Sequence, residues 1–98
     1  MKRALTGLLV LVLTATSCQQ VLTVSKDDIR ISDSCLAWKT SIPAICSVKF
    51  CTNNMCYVTG FENDYSEIHC LSLPGPVSEV NILSKSRDGQ FIETEVTP

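Results

Sequence analysis

Cysteine is the residue type that most constrains how this chain folds. Six of the 98 residues are cysteine, a proportion that approaches the range typical of small domains held together by disulfides. They are Cys18, Cys35, Cys46, Cys51, Cys56 and Cys70. So short a chain forms one domain with a small core, to which each disulfide adds about 2–4 kcal/mol of stability. In an oxidising compartment the even number predicts three disulfides, but the spacing does not choose among the pairings that six cysteines allow.

The first residues have the layout of a secretory signal peptide. Lys2 and Arg3 precede the largely apolar run 5–13, and small residues follow it. The run is too short to span a membrane, which takes about 20 apolar residues. We therefore expect residues 1–17 to be removed on export and the mature protein to be secreted without a membrane span. Disulfides persist in that location.

The junction Ala15-Thr16-Ser17-Cys18 supports two interpretations. Ala15 and Ser17 satisfy the small-residue rule for ordinary cleavage before Cys18. The same four residues also resemble a bacterial lipobox, although Ala15 and Ser17 replace the usual Leu and Gly or Ala. That resemblance implies a periplasmic or outer-membrane lipoprotein, anchored to the membrane only through a lipidated Cys18. Lipidation would leave an odd number of thiols, so the cysteine count favours plain secretion.

The residues after the signal peptide predict a single, small all-β domain stabilised by disulfides, built as a compact sandwich, open barrel or meander. Residues 18–34 are largely polar and predict an arm or an edge strand, with a short alternating stretch at 21–24. Residues 35–98 form the cysteine-rich β domain. No segment has an apolar period of 3.6 residues, and Pro43 argues against a long helix. We expect five or six short strands, with Trp38 in the core.

Two turns are the clearest local signals. The β-prone triplets 48–50 and 57–59 flank a four-residue loop, which predicts a hairpin. In its register Cys51 and Cys56 face each other and either bridge directly or each reach another strand. A second hairpin is predicted around the turn 86–89, which ends in Asp-Gly.

Residues 67–73 alternate as a strand does, so Ile68 and Cys70 share one face while His69, Leu71 and Leu73 share the other. His69 is the single histidine, and we expect it at the surface or at the rim of the domain. A nucleophile–histidine site would have to use it, and its neighbour Cys70 points to the opposite face. The cysteine spacing also fits a structural zinc site poorly. We therefore expect no enzymatic activity, no cofactor and no metal.

Charge narrows the class of partner. Without Lys2 and Arg3 the net charge of −2 becomes −4. Nucleic-acid binding normally needs a basic surface, so we expect no nucleic-acid partner. We expect a secreted protein that acts by binding another, unidentified protein, as effectors, toxins, inhibitors and immune modulators do. Loops on a rigid scaffold are the expected contacts. The candidates are Thr52, Asn53, Asn54, Met55, Arg87 and Asp88.

Overall fold

The computed structural model describes residues 20–98. The predicted signal peptide and Cys18 lie outside these residues. The described part is a small, mostly antiparallel β domain with one disulfide, which confirms the predicted fold class. After a 3-10 turn at Lys26–Asp28 come six strands: β1 (Arg30–Ile31), β2 (Cys35–Cys51), β3 (Cys56–Val58), β4 (Ser66–Ser72), β5 (Glu79–Ser86) and β6 (Phe91–Val96).

Strand β2 organises the sheet, because it pairs with four of the other five strands. β1 and β4 pair with its first part, β3 and β5 pair with its second part, and β6 pairs with β5. The pairing of β2 with β4 shifts register between Lys39 and Ala44. Pro43 lies within this shift, where its missing N–H costs no regular ladder bond. The strand order β1-β2-β5-β6, with β3 and β4 also on β2, is therefore branched and is not a simple meander.

The core lies on one face of this sheet. Even-numbered side chains of β2, including Trp38 and Val48, point into it because side chains alternate along a strand. Trp38 is only 3% exposed, as predicted. The buried apolar cluster comprises Leu36, Trp38, Cys46, Val48, Phe50, Leu73, Val80 and Ile82.

The segment before β1 is neither a strand at 21–24 nor a loose arm. Leu22 is 1% exposed, and its backbone N–H donates to Gln90 Oε1 at 2.8 Å. Gln90 Nε2 donates in turn to the Gln20 carbonyl at 3.0 Å. The predicted edge strand falls later, at Arg30–Ile31, where β1 pairs with β2.

Both predicted hairpins are present. In the first, Cys51 pairs with Cys56 in register and the two form a disulfide, so the direct bridge is the correct alternative. In the second, β5 and β6 meet at a turn that contains Gly89. Gly89 has a φ of 91°, a conformation that residues with a Cβ rarely adopt.

The other described cysteines differ from the prediction of three disulfides. Cys35, Cys46 and Cys70 have free thiols, so residues 20–98 contain one disulfide. Cys46 points into the core, where its sulfur lies between the side chains of Trp38 and Ser84. A core-facing cysteine of this kind behaves as a small apolar residue rather than as a bridge. Within residues 20–98 no helix has the length and apolar character that crossing a membrane requires.

Candidate functional site

The main cluster of reactive side chains comprises Cys46, Glu62 and His69, which we call the core triad. Cys46 belongs to β2, His69 belongs to β4, and Glu62 lies in the loop between β3 and β4. His69 Nδ1 is 2.8 Å from Glu62 Oε1 and 3.1 Å from Oε2. On the other side of the imidazole, Nε2 is 3.9 Å from Cys46 Sγ.

Backbone pairing brings Glu62 to this position. After β3 the chain continues alongside β2, where Thr59 N–H donates to the Val48 carbonyl and Glu62 N–H donates to the Cys46 carbonyl. The Glu62 carboxylate then accepts a 2.9 Å hydrogen bond from the Cys46 N–H through Oε1. One carboxylate oxygen therefore holds both the β2 backbone and the histidine ring.

Strand register brings His69 to the same place. His69 is the direct partner of Trp38 in the pairing of β2 with β4, and the two rings stack with centroids 5.2 Å apart. The Trp38 indole N–H donates to Cys46 Sγ at 3.4 Å. The expectation that His69 lies at the surface or rim is wrong, since His69 is 2% exposed.

The surroundings of the ring favour its charged form. Burial lowers the pKa of His69, but hydrogen bonds to Cys46 and then to Glu62 raise it, leaving it above the ordinary value of 6.5. Thr40 Oγ1 lies 3.2 Å from Nε2 and is also placed to donate to the Ser66 carbonyl. A protonated ring therefore has an acceptor at each nitrogen: the Glu62 carboxylate at Nδ1, and the Thr40 hydroxyl and the Cys46 sulfur at Nε2.

The order cysteine, histidine and carboxylate is that of a nucleophile, a base and an orienting group. Here, however, Cys46 is 2% exposed and the His69 side chain is fully enclosed. The sulfur is in contact with the Trp38 indole N–H and with Ser84 Oγ, at 3.4 and 3.3 Å. In this conformation a substrate atom has no approach to the sulfur, so the geometry is suited to holding strands together.

Among residues 20–98 the core triad is also the only group of three or more histidine, cysteine, aspartate or glutamate side chains whose ligand atoms are close enough to bind one metal ion, with all of them within 4.8 Å of one another. The ring separates them, because Glu62 contacts Nδ1 whereas Cys46 lies near Nε2. A single ion therefore cannot bind all three side chains around one imidazole nitrogen. An ion at Nε2 would have only Cys46 and His69 as strong protein ligands, fewer than structural or catalytic zinc sites use.

The sequence patterns missed the core triad because its members are distant along the chain. Cys46 and Glu62 are separated by 16 residues, and Glu62 and His69 by seven. One signal was available: His69 shares its strand face with Leu71 and Leu73, and that face proves to be the inner one.

The charged side chains of the second predicted loop, Arg87 and Asp88, contact other residues of the domain. The Arg87 guanidinium lies 4.9 Å from the centre of the Tyr65 ring, a cation–π contact. The Asp88 carboxylate accepts hydrogen bonds from the Ser86 hydroxyl and from Gln90 Nε2, and these two bonds lower the pKa of Asp88. This loop therefore positions Gln90, whose hydrogen bonds with the Leu22 N–H and the Gln20 carbonyl we call the Gln90 clamp.

The first predicted loop adjoins an exposed apolar surface. Its residues Thr52, Asn53, Asn54 and Met55 form the hairpin turn, in which Thr52 Oγ1 accepts hydrogen bonds from the N–H groups of Asn54 and Met55. Four of the seven large apolar side chains exposed among residues 20–98 lie between residues 55 and 61. We call these four the β3 surface: Met55, Tyr57, Val58 and Phe61.

Comparisons with models of known protein families, with curated proteins and with solved structures found no match to this chain.

Proposed function

We propose that the protein is exported and acts, without catalysis, by binding another protein that adds a β-strand to the free edge of β3. The observation that carries this proposal is the concentration of exposed apolar side chains around a strand that pairs with β2 alone. Strand addition uses main-chain hydrogen bonds for affinity and side chains on both faces for specificity.

The hydrogen-bond pattern of the hairpin leaves backbone groups available on this edge. Thr52 N–H donates to the Met55 carbonyl and Thr59 N–H donates to the Val48 carbonyl. Because antiparallel pairs alternate, Tyr57 directs its N–H and C=O towards β2, whereas Cys56 and Val58 direct theirs outward. A strand laid along β3 therefore meets two residues with unpaired backbone donors and acceptors.

The side chains of β3 would hold an added strand from both faces of the sheet. Tyr57 lies on the core side, where its ring stacks on Phe50 with centroids 5.1 Å apart and still remains 38% exposed. Val58 points to the opposite face and is 69% exposed. The Cys51–Cys56 disulfide fixes the hairpin, so little conformational entropy is lost when a partner binds.

The charge distribution favours a protein partner. Residues 51–61 contain no charged side chain, in a chain whose net charge of −2 would become −4 on removal of residues 1–17. Depletion of charge around aromatic residues and methionine is typical of the centre of a protein interface. A membrane surface or a nucleic acid would instead attract a basic surface.

Site-specific photo-crosslinking tests the proposal in the cells or medium into which the protein is exported. A photoreactive side chain at Val58 is expected to crosslink one protein, and the same group at Phe91 is the matched control. Phe91 is also exposed, at 57%, but lies on β6, outside the β3 surface. Equal crosslinking from both positions contradicts a specific site at β3.

The crosslinked partner, once purified, allows the strand-addition geometry to be tested. Val58→Pro removes an outward N–H while leaving the Tyr57 bonds to β2 in place, and Val58→Ala shortens the same side chain with the N–H intact. We expect Val58→Pro to weaken binding at least about tenfold more than Val58→Ala, with both variants folded by thermal unfolding. Equal affinities would show that the backbone of β3 is not used.

A second candidate is an anchored lipoprotein with a periplasmic or outer-membrane role, lipidated at Cys18. One observation favours it. Plain secretion was preferred because six cysteines can all pair with one another, but Cys46 has a free and enclosed thiol, so the cysteine count no longer argues against lipidation of Cys18. Metabolic labelling with palmitate in a bacterial host is the test. Label that is present in the wild type and lost in Cys18→Ser supports anchoring, and an unlabelled wild type excludes it.

A further inference from the structure

Two of the free cysteines face each other on the outer side of the sheet. Cys35 begins β2 and pairs with Ser72, while Cys70 lies on β4 and pairs with Ala37. The two cysteines are therefore diagonal neighbours on adjacent antiparallel strands, with their side chains on the same face. Their Sγ atoms are 3.5 Å apart. A disulfide needs about 2.05 Å, so the two sulfur atoms must approach each other by about 1.5 Å for the bond to form.

We propose that Cys35 and Cys70 are a redox-active pair that closes into a second intramolecular disulfide, between β2 and β4, by exchange with a small external disulfide. The proposal is independent of the surface that binds a partner. It rests on the sulfur–sulfur distance and on access, because Cys70 is exposed and Cys35 is half-buried.

The other described cysteines are unsuitable as partners for this pair. Cys51 and Cys56 are already joined to each other. Cys46 is on the opposite, inner face of β2, at 2% exposure. Cys35 and Cys70 are also held at their spacing by strand pairing on both sides of the bridge position, between residues 35–39 of β2 and 68–72 of β4.

The exchange takes place in two steps that balance. The thiolate of Cys70, the more accessible sulfur, attacks one sulfur of oxidised glutathione and releases one glutathione thiolate, giving a mixed disulfide. Cys35 then loses its proton and attacks the Cys70 sulfur, which displaces the second glutathione. The two thiols have together lost two protons and two electrons, and the electrons reside on two reduced glutathione molecules.

The neighbouring thiol affects the second step. The hydrogen bond with the Cys70 side chain, followed by burial and the charge of Cys70, raises the pKa of Cys35. Once Cys70 is in the mixed disulfide, that bond and that charge are gone, so Cys35 ionises more readily when it is needed as the attacking group.

Disulfide mapping by mass spectrometry tests the pair in the full chain as it is exported. The protein is equilibrated with oxidised glutathione, alkylated in denaturant and digested without reduction. We expect a peptide linking Cys35 to Cys70, a mass lower by two hydrogen atoms, and the loss of two alkylated sites relative to protein treated with reduced glutathione. Cys46 is expected to be alkylated in both samples.

Two variants complete the test. After equilibration with oxidised glutathione, Cys35 is expected to form no intramolecular disulfide in Cys70→Ser and to be available for alkylation. Cys46→Ala is expected to form the same Cys35–Cys70 peptide as the wild type. Thermal unfolding of each variant confirms that the domain is folded. The proposal would be overturned if Cys35 and Cys70 were both still alkylated after equilibration with oxidised glutathione while the Cys51–Cys56 disulfide stayed closed. Linkage of Cys35 or Cys70 to any other cysteine would also overturn it.

Discussion

Replacement of Glu62 by glutamine tests whether the core triad holds the strands together. Glu62→Gln keeps the size of the side chain and removes its charge. The carboxylate accepts hydrogen bonds from the Cys46 N–H and from His69 Nδ1, at 2.9 and 2.8 Å. Hydrogen bonds to a charged group contribute about 1.5–3 kcal/mol and neutral ones about 0.5–1.5, so the change removes about 1 kcal/mol per bond.

Solvent reduces this figure, because the Glu62 side chain is 34% exposed. We therefore expect Glu62→Gln to lower the free energy of unfolding by about 1–2 kcal/mol. Urea unfolding followed by the fluorescence of Trp38, the single tryptophan, measures this value. Glu67→Gln is the matched control, since Glu67 is an exposed carboxylate on β4, and we expect it to change stability by less than about 0.5 kcal/mol.

The pH dependence gives a second, independent readout. The pKa of His69 is raised in the folded protein, so folding favours the protonated ring. Its contribution to stability is fully present below the unfolded value near 6.5 and is lost as the pH rises through the higher folded value. We expect the wild type to lose stability through this group as the pH rises above 6.5 and through the raised pKa of His69. In Glu62→Gln this loss shrinks, because burial opposes protonation and the carboxylate no longer offsets it.

An unchanged free energy of unfolding together with an unchanged pH slope in Glu62→Gln would refute this account of the core triad. A slope that changes in the Glu67→Gln control as well would assign the effect to the general loss of negative charge.

Three further predictions concern the bridges, the turn and the N-terminal segment. Closure of Cys35–Cys70, with a sequence separation of 35, is expected to stabilise the domain by about 4 kcal/mol from loop entropy, which urea unfolding with and without oxidised glutathione measures. Gly89→Ala is expected to lower the free energy of unfolding by about 1 kcal/mol, because the φ of Gly89 is 91°. Gly60→Ala is the control and is expected to cost less, since Gly60 has no positive φ and an added Cβ meets no atom within 4 Å. Equal shifts in the thermal unfolding temperature contradict this reasoning. Gln90→Ala is expected to make residues 20–24 cleavable by a protease at least about tenfold faster, and an unchanged cleavage rate would show that the clamp is unimportant.

The local features of this fold were predictable from the sequence. The four-residue loop between Cys51 and Cys56 and the Asp-Gly turn before β6 both specify hairpins within about ten residues of chain. Alternation in β4 also assigned His69 and Leu73 to the same face. Alternation does not say which face is buried, and the apolar neighbours of His69 were outweighed by the usual exposure of a lone histidine.

The long-range features were not predictable from local patterns. Strand β2 continues through Pro43 because Pro43 lies within the register shift, where no regular ladder hydrogen bond from its backbone nitrogen is required. No local sequence pattern predicts such a shift. The core triad and the Cys35–Cys70 pair depend on which strands lie beside β2, a property of the whole topology. The even number of cysteines predicted that all six form disulfides. An even number does not tell where each side chain lies, and the side chain of Cys46 lies in the core with a free thiol.

The dependence of four strands on β2 has a consequence for how the domain opens. β6 is joined to the sheet only through β5, so its hydrogen-bonded amides are expected to exchange with deuterium sooner than those between β2 and β5. Separation of β2 from its neighbours leaves only β5 and β6 paired, so the hydrogen-bonded amides of β2 are expected to exchange last, at the rate set by global unfolding.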